Sequence, residues 1–245
     1  MLSWNYDVAT ASPTISSVVN AADQTTSVAP GGLISVLGQN LSAVNAATNQ
    51  IPLPTALANS CLTVNGVLVP MIMVSPTQIN GQLPVDVSGR GTMVLRTPAG
   101  VSNTFYFPIL DVAPATFSAD VAGWDVRIPT VTHADGAFVT PSYPIHPKDN
   151  EWIVIYLTGM GLTLPGVDSG AAGPSDPLAQ AIVMPKVTLG GAELAIGYAG
   201  LVPGEVGVYQ INALVPFKGV PAGMEVPLTI TQDGSSTTVT VRVVN

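Results

Sequence analysis

Val226-Pro227-Leu228-Thr229-Ile230-Thr231-Gln232-Asp233-Gly234-Ser235-Ser236-Thr237-Thr238-Val239-Thr240-Val241-Arg242-Val243-Val244 reads as two strands joined by one tight turn. Asp-Gly suits a two-residue hairpin because both turn residues take positive φ, which matches the twist of the flanking strands. Val239, Val241 and Val243 alternate with Thr240, Arg242 and Val244, the period of a half-buried strand. The same construction stands earlier in the chain. Residues 92–95 and 104–109 are alternating segments on either side of Pro98-Ala99-Gly100.

Working outward from the two hairpins, three further blocks recur in one order. Leu33-Ile34-Ser35-Val36-Leu37-Gly38-Gln39-Asn40-Leu41 aligns with Ile153-Val154-Ile155-Tyr156-Leu157-Thr158-Gly159-Met160-Gly161-Leu162, with one slip before the glycine. Leu62-Thr63-Val64-Asn65-Gly66 aligns with Val187-Thr188-Leu189-Gly190-Gly191. Gln78-Ile79-Asn80 aligns with Gln210-Ile211-Asn212. A fainter start pairs Ser12-Pro13-Thr14-Ile15 with Ala113-Pro114-Ala115-Thr116-Phe117. Blocks in a fixed order mean duplication. The 24 Gly and 22 Pro punctuate the chain too closely for long helices. The predicted fold is all-β: two tandem immunoglobulin-like β-sandwiches preceded by an extra N-terminal strand. The boundaries are an arm over 1–11, a first sandwich over 12–111, and a second over 112–245 with an insertion over 124–147.

Composition narrows the function. Charged residues are 9% of the chain, against about 25% in typical soluble domains. The net charge is -8, and the seven Lys and Arg are dispersed, which excludes a basic surface for nucleic acid or anionic membranes. No apolar run is long enough to span a bilayer as a helix. Cys61 is the only cysteine, so no intrachain disulfide forms, and it reads as a small buried strand residue. Residues 1–10 lack the basic start and apolar run of a signal peptide, so export information is expected outside this chain.

Catalytic groups are scarce. A nucleophilic triad needs a histidine base, and only His133 and His146 exist, both in the insertion and both read as surface-loop residues. Asp149 and Glu151 precede a strand and would share a face, but such a pair reads as a solvated turn rather than a glycosidase dyad. Asp149, Asn150 and Glu151, or Asp168 and Asp176, offer oxygen to a calcium ion without the spacing of a calcium loop. The expectation is therefore no enzyme, no cofactor and no dedicated metal site. The repeated Gln-Ile-Asn reads as a shared folding device, since amide side chains fix nearby turns and strands.

The arm is the exception to the repeat. Leu2, Trp4, Tyr6 and Val8 alternate with Ser3, Asn5 and Asp7, giving one large apolar face at period two. Such a strand either adds to an edge of its own sandwich or pairs with a neighbouring subunit. Leu2, Trp4, Tyr6, Val8, Trp124 and Tyr143 are the candidate contact residues.

Pro30-Gly31-Gly32, Leu33 to Leu37 and Gly38-Gln39-Asn40-Leu41 resemble the opening of TIG/IPT-type immunoglobulin-like domains. The span from Ile15 to Val244 further resembles a domain at the C-terminal ends of large secreted acidobacterial proteins. The matching stretches are Ser17-Val18-Val19-Asn20-Ala21-Ala22, Val74-Ser75-Pro76-Thr77-Gln78-Ile79-Asn80, Tyr198-Ala199-Gly200-Leu201-Val202-Pro203-Gly204 and Tyr209-Gln210-Ile211-Asn212. The resemblance implies fold and an extracellular or cell-surface location, and brings no activity with it. Two functions are expected. The first is a structural protein that self-associates as a homo-oligomer or polymer, as a fibre or surface-layer subunit. The second is an adhesion module for polysaccharide or another surface protein, with Trp4, Trp124, Trp152 or Tyr143 as its platform. A hydrolase is the residual alternative.

Overall fold

The computed structural model describes residues 11–244, and the arm residues Leu2, Trp4, Tyr6 and Val8 lie outside them. The described residues hold strands and one 3-10 turn, Pro147–Asp149, with no α-helix. None of their helices is long and apolar enough to cross a membrane. They divide into two compact units: residues up to Asp111 with Asp168–Ala171, and Val112–Val167 with the chain from Ala172.

The first unit contains β1 (Thr14–Asn20), β2 (Leu33–Gln39), β3 (Ala46–Ala47), β4 (Cys61–Val64), β5 (Val67–Leu68), β6 (Met71–Val74), β7 (Gln78–Gln82), β8 (Gly89–Thr97), β9 (Gly100–Val101) and β10 (Phe105–Ile109). One sheet runs β1-β2-β7-β6-β3 and the other β10-β8-β4-β5, all antiparallel. Alternation sends Ile34, Val36, Ile79, Leu62, Val64 and Leu95 into a common core. Gly38 is required where it stands: a Cβ there would lie 2.0 Å from the carbonyl oxygen of Thr14 on the paired strand. Cys61 is half-buried in β4, not fully buried as expected.

Asp168–Ala171 belongs to this unit through buried hydrogen bonds. The Gly170 N–H donates to Gln82 Oε1 at 2.6 Å, and the Gln82 amide donates to the Gly31 carbonyl at 3.0 Å. The Val85 N–H donates to the Ser169 hydroxyl at 3.0 Å.

The second unit contains β11 (Ala115–Thr116), β12 (Ser118–Ala119), β13 (Ile128–Pro129), β14 (Val131–His133), β15 (Trp152–Thr158), β16 (Thr163–Leu164), β17 (Gln180–Ala181), β18 (Lys186–Leu189), β19 (Ala192–Glu193), β20 (Ala195–Leu201), β21 (Tyr209–Leu214), β22 (Gly223–Gln232) and β23 (Ser235–Val243). The large sheet runs β11-β15-β21-β20-β17-β16 with β14 also on β15, and the smaller runs β19-β18-β22-β23. Ile153, Ile155, Ile211, Val187, Leu228 and Ile230 form the core between them. Asp233 and Gly234 both have positive φ, 43° and 80°, as the predicted turn requires. The chain is thus all-β, built of immunoglobulin-like sandwiches.

Strand pairing corrects one alignment from the sequence. Ser35 faces Asn80 and Leu37 faces Gln78, whereas Val154 faces Asn212 and Tyr156 faces Gln210. Leu33 therefore corresponds to Trp152, not Ile153, and the slip disappears from the core positions. Ile34 and Val36 stand where Ile153 and Ile155 do.

The shifted register changes the fate of the repeated asparagine. In the first unit Asn80 Oδ1 accepts from the Gln78 amide at 2.7 Å and the Ser35 hydroxyl at 3.0 Å. In the second, Val154 replaces that serine, and the buried Asn212 Oδ1 has no hydrogen-bond partner. Asn80→Ala is accordingly expected to cost about 2 kcal/mol, one modest contribution per lost bond, and Asn212→Ala close to nothing. Urea unfolding of the two variants checks this; equal losses would contradict it.

The extra residues of the second copy also fall differently from the expected 124–147 block. β11 pairs Thr116 with Leu157, and β14 resumes the same edge with Val131 opposite Ile155. Between them, Tyr156 accepts from the Phe117 N–H at 3.1 Å and donates to the Thr130 carbonyl at 3.0 Å. The edge strand therefore leaves the ladder at Phe117, makes the β12-β13 hairpin, and returns at Thr130. Its neck is closed by the Thr130 N–H on the Phe117 carbonyl at 2.7 Å. A second expansion lies between β14 and β15. Once the hairpin is set aside, Val131-Thr132-His133-Ala134 occupies the place of Val18-Val19-Asn20-Ala21. His133 faces Ile153 as Asn20 faces Ile34.

No strand of the β1-β2-β7-β6-β3 sheet or of the second unit's large sheet carries Asp, Glu, Lys or Arg. The charges that do fall on strands, such as Arg90, Arg96, Lys186, Glu193 and Arg242, are all in the other two sheets, β10-β8-β4-β5 and β19-β18-β22-β23.

Candidate functional site

The loop between β14 and β15 builds a cleft of about 430 Å³ lined by residues that include His133, Asp135, Tyr143, His146, Asp149 and Trp152. Its frame is one carboxylate. Glu151 immediately precedes β15, and its Oε1 meets His133 Nδ1 while its Oε2 accepts the His146 N–H at 2.9 Å. The other imidazole nitrogen, Nε2, faces the Tyr143 carbonyl at 3.2 Å. Both ring nitrogens thus point at acceptor oxygens. The His133 ring also packs against the Tyr143 ring, centroids 4.0 Å apart.

Local structure fixes the rest of the loop. Thr140 and Tyr143 exchange backbone hydrogen bonds, and the Tyr143 N–H also reaches the Thr140 hydroxyl at 3.0 Å. The Ile145 N–H donates to the Arg242 carbonyl at 3.0 Å, and the Arg242 guanidinium donates to the Pro141 carbonyl. Pro147 opens the 3-10 turn, and Asn150 closes it in the left-handed region at φ 52°. That closure turns the chain so that Glu151 points inward while Asp149 stays exposed.

Two readings of the sequence are corrected here. His133 is 4% exposed, on a strand rather than in a surface loop, because it takes the buried edge position that Asn20 fills in the first copy. Glu151 is a fixed partner of two loop segments rather than part of a solvated turn. Because both its oxygens are engaged, it is a weak candidate ligand for calcium with Asp149 and Asn150. Among the described residues no three His, Cys, Asp or Glu side chains come together as a metal-binding group.

Aromatic groups rim the cleft. Tyr143 is 45% exposed and Trp152 39%. Trp152 begins β15 on the outer face of the large sheet, and its six-membered ring crosses β21 to lie against Gly197 on β20. A Cβ at Gly197 would lie 2.8 Å from ring atoms Cζ3 and Cη2, so the glycine makes room for the ring. Trp124 does not join this site. It is half-buried at the far end of the β12-β13 hairpin, where its N–H donates to the Val121 carbonyl at 3.1 Å. Of the six candidate contact residues, the structure places Tyr143 on the cleft and Trp124 elsewhere; Leu2, Trp4, Tyr6 and Val8 lie outside the described residues. The sequence reading missed the His133–Glu151 pair and Asp135. The signal available was the match of Val131-Thr132-His133-Ala134 to Val18-Val19-Asn20-Ala21.

No protein-family model matches the chain, and no curated protein matches it. Solved structures with a similar chain path include a surface glycan-binding protein from Prevotella bryantii, at 12% identity and a TM-score of 0.28, covering 94% of this chain and 41% of that one. A second is SGBP-B from a complex xyloglucan utilization locus in Bacteroides uniformis, at 14% identity and a TM-score of 0.27, covering 95% and 49%. A third is the I9–I11 tandem of titin, at 11% identity and a TM-score of 0.24, covering 95% and 66%. The chain spans less than half the length of the first two. None of these likenesses carries a function to this chain.

Proposed function

We propose that the chain is a non-catalytic adhesion module of the cell surface that binds polysaccharide in the cleft between β14 and β15. The observation that carries this reading is the convergence of two exposed aromatic rings, Trp152 and Tyr143, with the polar groups of Asp135, Asp149 and His146 in one concave site. Sugar rings present polarised C–H groups on their faces and hydroxyls at their rims. An aromatic face attracts the first through its quadrupole, and carboxylates accept hydrogen bonds from the second. No Lys or Arg lines the cleft, so neutral glycans are the expected class and uronic or sulfated ones are repelled. His133 is a poor general base, because both of its nitrogens are already engaged. An extracellular location and the acidobacterial resemblance accord with this reading. Affinity electrophoresis in gels containing neutral polysaccharides tests it. Retarded migration in at least one neutral gel, absent in a polyuronate gel, is the expected outcome; unaltered migration in all would overturn it.

A second reading, an extracellular subunit that self-associates, is favoured by the charge-free large sheet of the second unit and its exposed apolar end.

A further inference from the structure

The end strand β16 pairs only with β17 among the described residues. Leu164 there is 74% exposed and Ile182, just beyond β17, is 60% exposed, with Leu162, Leu178 and Met184 exposed around them. Leu164 faces Gln180, and the Ile182 N–H donates to the Leu162 carbonyl at 3.0 Å. The alternation of an antiparallel ladder then turns the N–H and C=O of Thr163, a residue 7% exposed, away from β17. Natural sheet edges are usually blunted by charge, lysine above all. This edge is blunted only by its shortness and by Pro165, and its exposed side chains are apolar, at the end of a sheet that carries no Asp, Glu, Lys or Arg.

We propose that this edge receives residues 2–8 of a second copy of the chain, a reading that rests on the self-associating alternative. The segment is the complementary object. As a strand it would place Leu2, Trp4, Tyr6 and Val8 on one face, with Asp7 its single charge on the other. Laid beside β16, that face extends the apolar surface of Leu162, Leu164 and Ile182. Because β16 is two residues long, backbone pairing is brief, and burial of these large side chains supplies most of the attraction. The donor precedes the first sandwich in the chain and the acceptor belongs to the second. Donor and acceptor surfaces differ, so the contact is heterologous, and repetition gives an open filament unless the rotation closes a ring.

The test uses the full chain with Cys61→Ser, Trp4→Cys and Leu164→Cys, treated with a short bis-maleimide linker. Light scattering runs in parallel on the wild type, a chain lacking residues 1–10, and Leu164→Asp. A ladder of interchain products is expected, with concentration-dependent mass in the wild type and monomers in both variants. Leu164 is exposed, so its replacement leaves the core intact. Crosslinks confined to single chains would overturn the proposal. Assemblies unaffected by either variant would overturn it while leaving self-association standing. A wild type that stays monomeric at high concentration would overturn both.

Discussion

Trp152→Ala is expected to weaken glycan binding about 30-fold, the equivalent of about 2 kcal/mol for truncating an aromatic anchor. The ring has one edge against Gly197 and so cannot tilt freely, which makes it a fixed platform rather than an adaptable one. A companion variant separates loss of the ring from loss of its placement. Gly197→Val keeps Trp152 but fills the space its ring occupies, so binding should fall while the indole remains. Gly197 is not among the residues of positive φ, but it is the extra residue where the β20-β21 register shifts between Ile196 and Tyr198, so urea unfolding of the variant accompanies the binding measurement. Tyr143→Ala should weaken binding less, because that residue also holds His133 through its carbonyl, which alanine retains. Isothermal titration calorimetry with the best gel-retained oligosaccharide reads all three. Wild-type affinity in Trp152→Ala would remove the cleft from the account.

Glu151→Ala should be the most destabilising single change at the site, by about 3 kcal/mol, seen as a lowered unfolding midpoint in urea. The carboxylate side chain is 14% exposed and that of His133 5%, so removing it strands a buried imidazole. Breaking one partner of a buried pair costs far more than the pair contributes in place. The same change frees the His146 N–H, so the turn at Pro147–Asp149 loses its anchor. Glu151→Gln retains a carbonyl acceptor and should lose roughly half as much. Equal stability of wild type and Glu151→Ala would mean that the loop is held by Arg242 and the backbone alone.

Most of the fold was legible in the sequence because its signals are local. Asp233-Gly234 fixes one hairpin by the φ values it tolerates. The Gln-Ile-Asn repeats place Ile79 and Ile211 at equivalent core positions. What the sequence obscured was register. Residues 117–130 leave and rejoin a single edge strand, so the equivalence of Asn20 and His133 is hidden by an excursion that only the ladder around Tyr156 reveals. His133 looked like a loop residue for that reason, while His146 does lie in the loop. The site is less legible still. Trp152 and Tyr143 line one cleft because Glu151 and Arg242 hold the intervening loop, and that convergence has no counterpart in periodicity. Solvent exposure separated the tryptophans: Trp124 and Trp152 look alike in sequence, and only the second stands at a cleft.

The most direct test of the account is a backbone amide NMR titration of the full chain with a neutral oligosaccharide. Shifts centred on residues 133–152, with Gly197 and the Trp152 indole N–H among the largest, are the predicted result. Saturable shifts centred on another surface, with the Trp152 indole unmoved, would contradict it.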